Sequence, residues 1–341
     1  MKRILLFLFI VFLGHTALQA QNTACTEQLK IVQRSFDDGL LDDIPLLLAD
    51  CMKDKNGFTK EEKANAYKLL IQTYLFSEEI LKADEVMIQF LSEFPSYKLA
   101  DNDPKEFINL YNTYRTTPIF KLEVLAGLSF CMPLVVQYFG TYPLPATHPV
   151  YKSKTGYSFE INYINTLLKN FNYSIGASFT LSNLGYTNEP FDYTLVTASL
   201  NNMYLGLPLA LRYNYTLKGL NLFAKAGIEP VLLLKSSADL TRADNISNEP
   251  IIGTEDLISF HNKTDLRPFL SVGIKINVGS DQLMLSAGYK FSTKIQFNAL
   301  ERNSNNPLEE KYRFTEDDLL LNQSIVSLSY IRPIYKPKKI R

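Results

Sequence analysis

From about Pro118 onward the chain alternates apolar and polar residues with a period of two. That pattern restricts it to sheet whose two faces meet different surroundings. Eight such runs are present, at 122–130, 159–163, 173–181, 205–213, 222–228, 270–278, 283–291 and 326–330. Along them bulky Leu, Ile, Val and Tyr fall on one face. Small residues fall on the other, together with Glu123, Glu160, Arg212, Lys225, Glu229, Lys275 and Lys290. Short turns near Lys169-Asn170, Lys218-Gly219 and Gly279-Ser280-Asp281 alternate with long connections at 134–156, 187–201, 236–266 and 294–318. An even-stranded up-and-down barrel places all the short turns and both chain ends on one side.

The identity of the apolar face separates two kinds of barrel. A water-soluble barrel keeps its bulky apolar residues inside, whereas a transmembrane barrel turns them outward. Three Glu, three Lys and an Arg suit a narrow lumen filled by paired charges better than an apolar ligand pocket, since an unpaired buried charge is costly. Tyr157, Tyr163, Tyr204, Tyr213, Tyr215, Tyr289 and Tyr335 cluster near strand ends, as interface girdles do. The expectation is an eight-stranded antiparallel transmembrane β-barrel over 117–335. Pro208 lacks an N–H and calls for a bulge in the fourth strand. A basic tail, 336–341, is expected on the short-turn side.

The preceding residues follow a different rule. Between Thr26 and Arg115 apolar residues recur at helical spacing and Gly is scarce. A first helix carries Leu29, Val32 and Phe36 and stops at Gly39. A second carries Ile44, Leu47, Leu48 and Cys51, with Asp43 as its expected cap. Thr59 and Glu62 form a capping box for a third. A fourth is expected from Ser77, and a fifth with Asp103 as its cap and Pro104 at its first position. Tyr74, Ala83 and Pro95 stand at offsets resembling a tetratricopeptide helix pair, with Met87 where that repeat prefers an aromatic. Thr116-Thr117-Pro118 marks the boundary, because proline disfavours helix at the residue before it. The fold class is therefore α+β in two domains: a small TPR-like helical domain, 21–116, followed by the barrel. Two domains also suit 341 residues.

The N-terminus sets the compartment. Lys2 and Arg3 precede an unbroken apolar run at 4–13, and Ala17-Leu18-Gln19-Ala20 follows. This is the plan of a secretory signal peptide, 1–20, too short for a membrane span and cleaved between Ala20 and Gln21. Cys25 lacks the apolar residues that a lipid-anchor site wants before it. An exported chain permits oxidation, and an antiparallel helix hairpin would bring Cys25 to Cys51. A disulfide is expected there, with free thiols or a metal pair as the alternatives.

Residues 119–335 resemble the OmpA-like eight-stranded outer-membrane β-barrel family, through the strand Tyr204-Leu205-Gly206-Leu207-Pro208-Leu209-Ala210-Leu211-Arg212-Tyr213. Val326, Leu328 and Tyr330 resemble the terminal signal read by outer-membrane assembly machinery. The Cys25–Cys51 segment with Gly57-Phe58-Thr59-Lys60-Glu61-Glu62-Lys63 is similar to a periplasmic helical extension in front of such barrels. The resemblance implies location and fold and carries over no catalytic residue.

The functional expectations follow. A formal charge of zero leaves no basic footprint for nucleic acid. Of the 3 His, cleavage leaves His148 and His261, both in long connections, with Asp244, Glu249, Glu255 and Asp256 near the second. Unrelated polar residues on a protein surface explain that arrangement, and no nucleophile elbow or zinc spacing accompanies it. No catalytic, cofactor or metal site is expected. The expected role is non-enzymatic: anchoring a helical protein-interaction domain, on the periplasmic side, to the outer membrane as a component of an envelope complex. The partners would be outer-membrane lipid and periplasmic or outer-membrane proteins. Alternatives are a surface adhesin using loops such as 303–306, or a small pore.

Overall fold

The computed structural model describes residues 23–54, 56–139, 148–191, 193–244, 249–302 and 307–340. The expected signal peptide, its Ala20–Gln21 cleavage site and the loop at 303–306 lie outside the described residues. The chain divides into two compact units, one running up to Thr117 and including Tyr335–Arg341, the other spanning Pro118–Ile334.

The first unit contains helices α1 (Thr23–Asp37), α2 (Ile44–Lys53), α3 (Lys60–Phe76), α4 (Ile80–Glu93) and α5 (Lys105–Tyr111). Helix α1 stops where Gly39 takes a left-handed φ of 77°, a conformation glycine adopts without Cβ strain. Thr59 caps α3 through the full capping box with Glu62. Asp43 makes no side-chain cap bond, because its own backbone (φ −87°, ψ −13°) is helical rather than extended. Glu78, at φ 59°, delays α4 from the expected Ser77 to Ile80. Val32, Ile44, Leu48 and Ala66 pack one core. A second core is aromatic: Phe90 meets the rings of Tyr67, Phe94, Tyr97 and Phe107 at centroid distances of 5.1–5.8 Å. A disulfide joins Cys25 to Cys51 across α1 and α2.

The C-terminal residues belong to this unit rather than forming a free basic tail. Ile340 N–H donates to Thr113 O, and Arg115 N–H to Lys338 O. Lys339 Nζ lies 2.6 Å from Asp84 Oδ2, while Tyr114 OH donates to Asp84 Oδ1. The segment is a strap on the helices.

The second unit is a closed antiparallel barrel. Its strands are β1 (Phe120–Gln137), β2 (Val150–Leu168), β3 (Phe171–Phe191), β4 (Thr194–Gly206), β5 (Leu209–Leu217), β6 (Leu220–Asp244), β7 (Ile251–Asp256), β8 (Thr264–Val278), β9 (Asp281–Lys290) and β10 (Asp318–Ile334). Strand β1 pairs with β2 and with β10, and the β2–β3 pairing closes the ring. β4 and β5 share one position, so the ring has eight strand positions, and β7 adds onto β6. Gly219 (φ 89°) and Gly279 (φ 63°) supply the left-handed backbone of two tight turns.

Two sequence expectations change here. The fourth strand breaks at Leu207-Pro208 without a register slip: Gly176 donates to Pro208 O and Leu207 to Pro230 O. The bulge in this part of the sheet is on the neighbouring strand instead: Met203 and Tyr204 pair with Lys235 and Leu233, leaving Leu234 of β6 as the extra residue. The connections read as long loops are largely structured. β3 and β4 run on to pair Phe191 with Thr194, and β6 extends to Asp244. The last connection contains a 3-10 turn at Ala299–Glu301 and a helix α6 (Pro307–Tyr312).

Candidate functional site

The inward rows of the barrel form layers. At the short-turn end Ile164, Phe223, Met284 and Ile331 make an apolar seal. Above it lie the ionic groups. Glu123 and Arg212 pair at 2.8 Å, and Asn162 also donates to Glu123. Lys290 bridges Glu229 (2.6 Å) and Glu160 (3.1 Å), and Lys225 stands 3.7 Å from Glu160. Gly206 faces this cluster: a Cβ there would collide with the Glu229 carboxylate and with Ser178 Oγ, which donates to Glu229. Six of the seven lumen charges expected from sequence are therefore brought together. Lys275 is the exception: it is only half-buried, and among the described residues it makes no ion pair. The cavity inside this layer measures about 40 Å³, room for no more than a few waters.

Above the ionic layer is a second polar cluster. Arg267 and Asp265 of β8 pair at 3.1 Å, and the Arg267 guanidinium covers the Tyr204 ring at 4.1 Å. Tyr204 therefore points into the barrel and is not a girdle residue. It shares the inward parity of Gly206, which the alternation itself implies. Its hydroxyl donates to Gln296 Oε1, and Gln296 Nε2 lies 2.8 Å from His261 Nδ1. His261 Nε2 lies 2.8 Å from Glu316, and Ser236 Oγ 2.8 Å from Nδ1. His261 is thus buried, and the acid it meets, Glu316, lies far from it in sequence. Nothing in sequence spacing relates position 261 to 316. His148 lies elsewhere, with its ring 4.0 Å from Tyr138. Ser236, His261 and Glu316 are each under 5% exposed, which favours a structural tie between the connection after β9 and the barrel wall.

Outermost, the inward face turns apolar. Leu184, Tyr186, Val196, Ala198, Leu200, Leu240, Leu319 and Leu321 form one core with Leu308 and Tyr312 of α6. The outward face changes in the opposite sense. On β3 the row Tyr173, Ile175, Ala177, Phe179, Leu181 gives way to Asn183, Gly185 and Thr187. Along β5 and β4, which share one strand position, the row from Tyr213 through Leu211, Leu209 and Leu205 to Met203 gives way to Asn201, Ser199 and Thr197. On β6 the row Leu220 to Leu234 gives way to Lys235, Ser237 and Asp239.

In the helical unit a groove of about 400 Å³ lies between α1, α3 and the turn before α5, bordered by Leu29, Gln33, Asn65, Lys68 and Asn102. Lys68 pairs with Asp103 at 2.7 Å on its floor. Burial alone would raise the Asp103 carboxyl. Donors from Lys68, Ala100 N–H and Tyr97 outweigh burial and hold it below the usual Asp range. This pairing replaces the expected capping role of Asp103.

No family model and no curated protein matches the chain. Among solved structures it is similar to Ail, the attachment invasion locus protein of Yersinia pestis (10% identity, TM-score 0.31, 62% of this chain and 98% of Ail). It is also similar to Neisserial surface protein A (10%, TM-score 0.31, 62% and 97%) and to outer membrane protein OprG from Pseudomonas aeruginosa (8%, TM-score 0.32, 63% and 97%).

Proposed function

We propose that this chain is a non-enzymatic outer-membrane β-barrel protein that anchors a disulfide-closed, TPR-like helical interaction unit on the periplasmic side. One observation carries the membrane reading. On each of β3, β4 and β6 the outward face changes from apolar to polar at one level, while the inward face changes from polar to apolar. Below that level the surroundings are apolar and the lumen is wet or ionic. Above it the surroundings are aqueous and the barrel holds an ordinary core. A soluble barrel has no reason to invert. The short turns and both connections to the helical unit then face the periplasm, and the long connections face outward. The filled lumen argues against a pore, and the polar groove of the helices supports binding of a protein partner.

Val272, outward and 61% exposed in the middle of the belt, tests the location. Val272→Arg is expected to lower folding stability in lipid vesicles by roughly 2–4 kcal/mol, while Thr197→Arg, above the inversion, changes it little. Equal effects at the two sites would refute the membrane level. The anchoring role is tested by cross-linked pull-down from detergent-solubilised envelope. Deleting the helices is expected to remove the co-purifying proteins; unchanged partners would leave the barrel as the binding part.

A further inference from the structure

Just beyond the last outward apolar residue, successive strand positions carry an exposed lysine. Lys235 follows Leu234 on β6 and pairs with Met203 of β4. Lys263 immediately precedes β8, its carbonyl accepting from Leu233 N–H. Lys294 lies just past β9 and Phe291, its N–H donating to Asp265 at the start of β8. On the other side Lys154 of β2 pairs with Asn183 of β3, and its Nζ donates to Ser199 Oγ of β4 at 2.9 Å. All four lysines are exposed, and among the described residues none makes an ion pair.

The acids near this level are occupied or stand further out. Asp265 is bound by Arg267, Ser292, Thr293 and Lys294. Asp239 lies two outward positions beyond Lys235 and accepts from Asn201 and Thr254. Glu255 is taken by Lys311 and Tyr312. Cations are thus held at the rim of the apolar belt and acids above it. The β1–β10 side differs: Met132, Leu134 and Val136 continue the apolar face there without a lysine.

We infer that Lys154, Lys235, Lys263 and Lys294 form an arc that binds phosphate-bearing lipid headgroups of the outer leaflet. The inference rests on the membrane level proposed above. A lysine stem lies along the belt while its ammonium reaches the headgroup plane, where it attracts anionic phosphate. Ser199, between Lys154 and Lys235, accepts from Lys154 through its Oγ and keeps its O–H to donate to the same oxygens.

The test reconstitutes the full chain in phosphatidylcholine vesicles containing spin-labelled phosphatidylglycerol or spin-labelled phosphatidylcholine, and measures each lipid in the motionally restricted shell. The wild type is expected to enrich the anionic lipid. The quadruple Lys→Gln variant is expected to lose that preference, by roughly fivefold for each lysine that engages a headgroup. Equal selectivity in both proteins would overturn the arc. Loss of selectivity on adding millimolar inorganic phosphate at constant ionic strength would assign the site to free phosphate and overturn the lipid. Absence of any restricted shell would instead refute the membrane level itself.

Discussion

Lys290→Met is expected to destabilise the folded barrel by about 3–5 kcal/mol, because it removes one member of a buried ionic cluster and strands its partners. Lys290 is the only base within ion-pair distance of Glu229 among the described residues, and it also supports Glu160. After the substitution Glu160 keeps Lys225 and Asn162, but among the described residues Glu229 keeps only the Ser178 hydroxyl. Glu229 is therefore the stranded charge. Adding Glu229→Gln should recover a large part of the loss by restoring neutrality, a coupling that additive effects would not produce. Lys275→Met, half-buried and outside the cluster, should cost under about 1 kcal/mol. Urea unfolding in detergent, followed by the mobility difference between folded and unfolded barrel, measures all three. Equal losses for Lys290→Met and Lys275→Met would show that charge pairing does not hold the lumen together.

The same cluster shows what alternation along a strand can and cannot reveal. Period two places Glu123, Glu160, Arg212, Lys225, Glu229 and Lys290 on one face. With the bulky apolar face turned outward, a closed ring of small diameter brings that charged face into one shared interior. Parity could not separate Lys275 from the rest, because height along the barrel depends on register, and register comes from pairing rather than from one strand. Tyr204 was legible by the same parity, one position out of phase with the outward-facing Tyr213 and Tyr215. The outer core was not. Residues 187–201 keep a two-residue period, but at Leu184 the apolar residues change from the outward to the inward row. Alternation announces two faces without saying which is wet, so the phase change reads as the end of a strand. His261 and Glu316 meet only because the connection after β9 folds into the barrel, and no local pattern encodes that return. In the helical unit the capping box and Gly39 were legible because both act within one turn. The strap at 335–340 depends on contacts with residues more than 200 positions away.

Cys25→Ser with Cys51→Ser is expected to cost the helical unit about 3 kcal/mol. The bond closes a loop with a sequence separation of 26, and in the chain-entropy model closure of that length restricts the unfolded chain by about this amount. The effect falls on a small unit whose first core, around Val32, Ile44 and Leu48, depends on α1 staying against α2. Total stabilities of about 5–15 kcal/mol are usual for folded domains, so the loss is a large fraction of what holds these helices. The second core, around Phe90, lies on α4 and α5 with α3 and does not include the bridge. Limited proteolysis of the full-length double variant should therefore cut α1 and α2 early and leave α3 to α5 protected for longer. The barrel should keep its folded mobility throughout. Reduction of the wild type should reproduce the cleavage pattern of the double variant, which ties the effect to the bond rather than to the serine side chains. Cleavage of α3 to α5 at the same rate as α1 would show that the five helices unfold as one cooperative unit, and the bridge would then stabilise the whole of it. If α1 and α2 stay protected after both cysteines are removed, packing of Val32, Ile44 and Leu48 alone closes the hairpin.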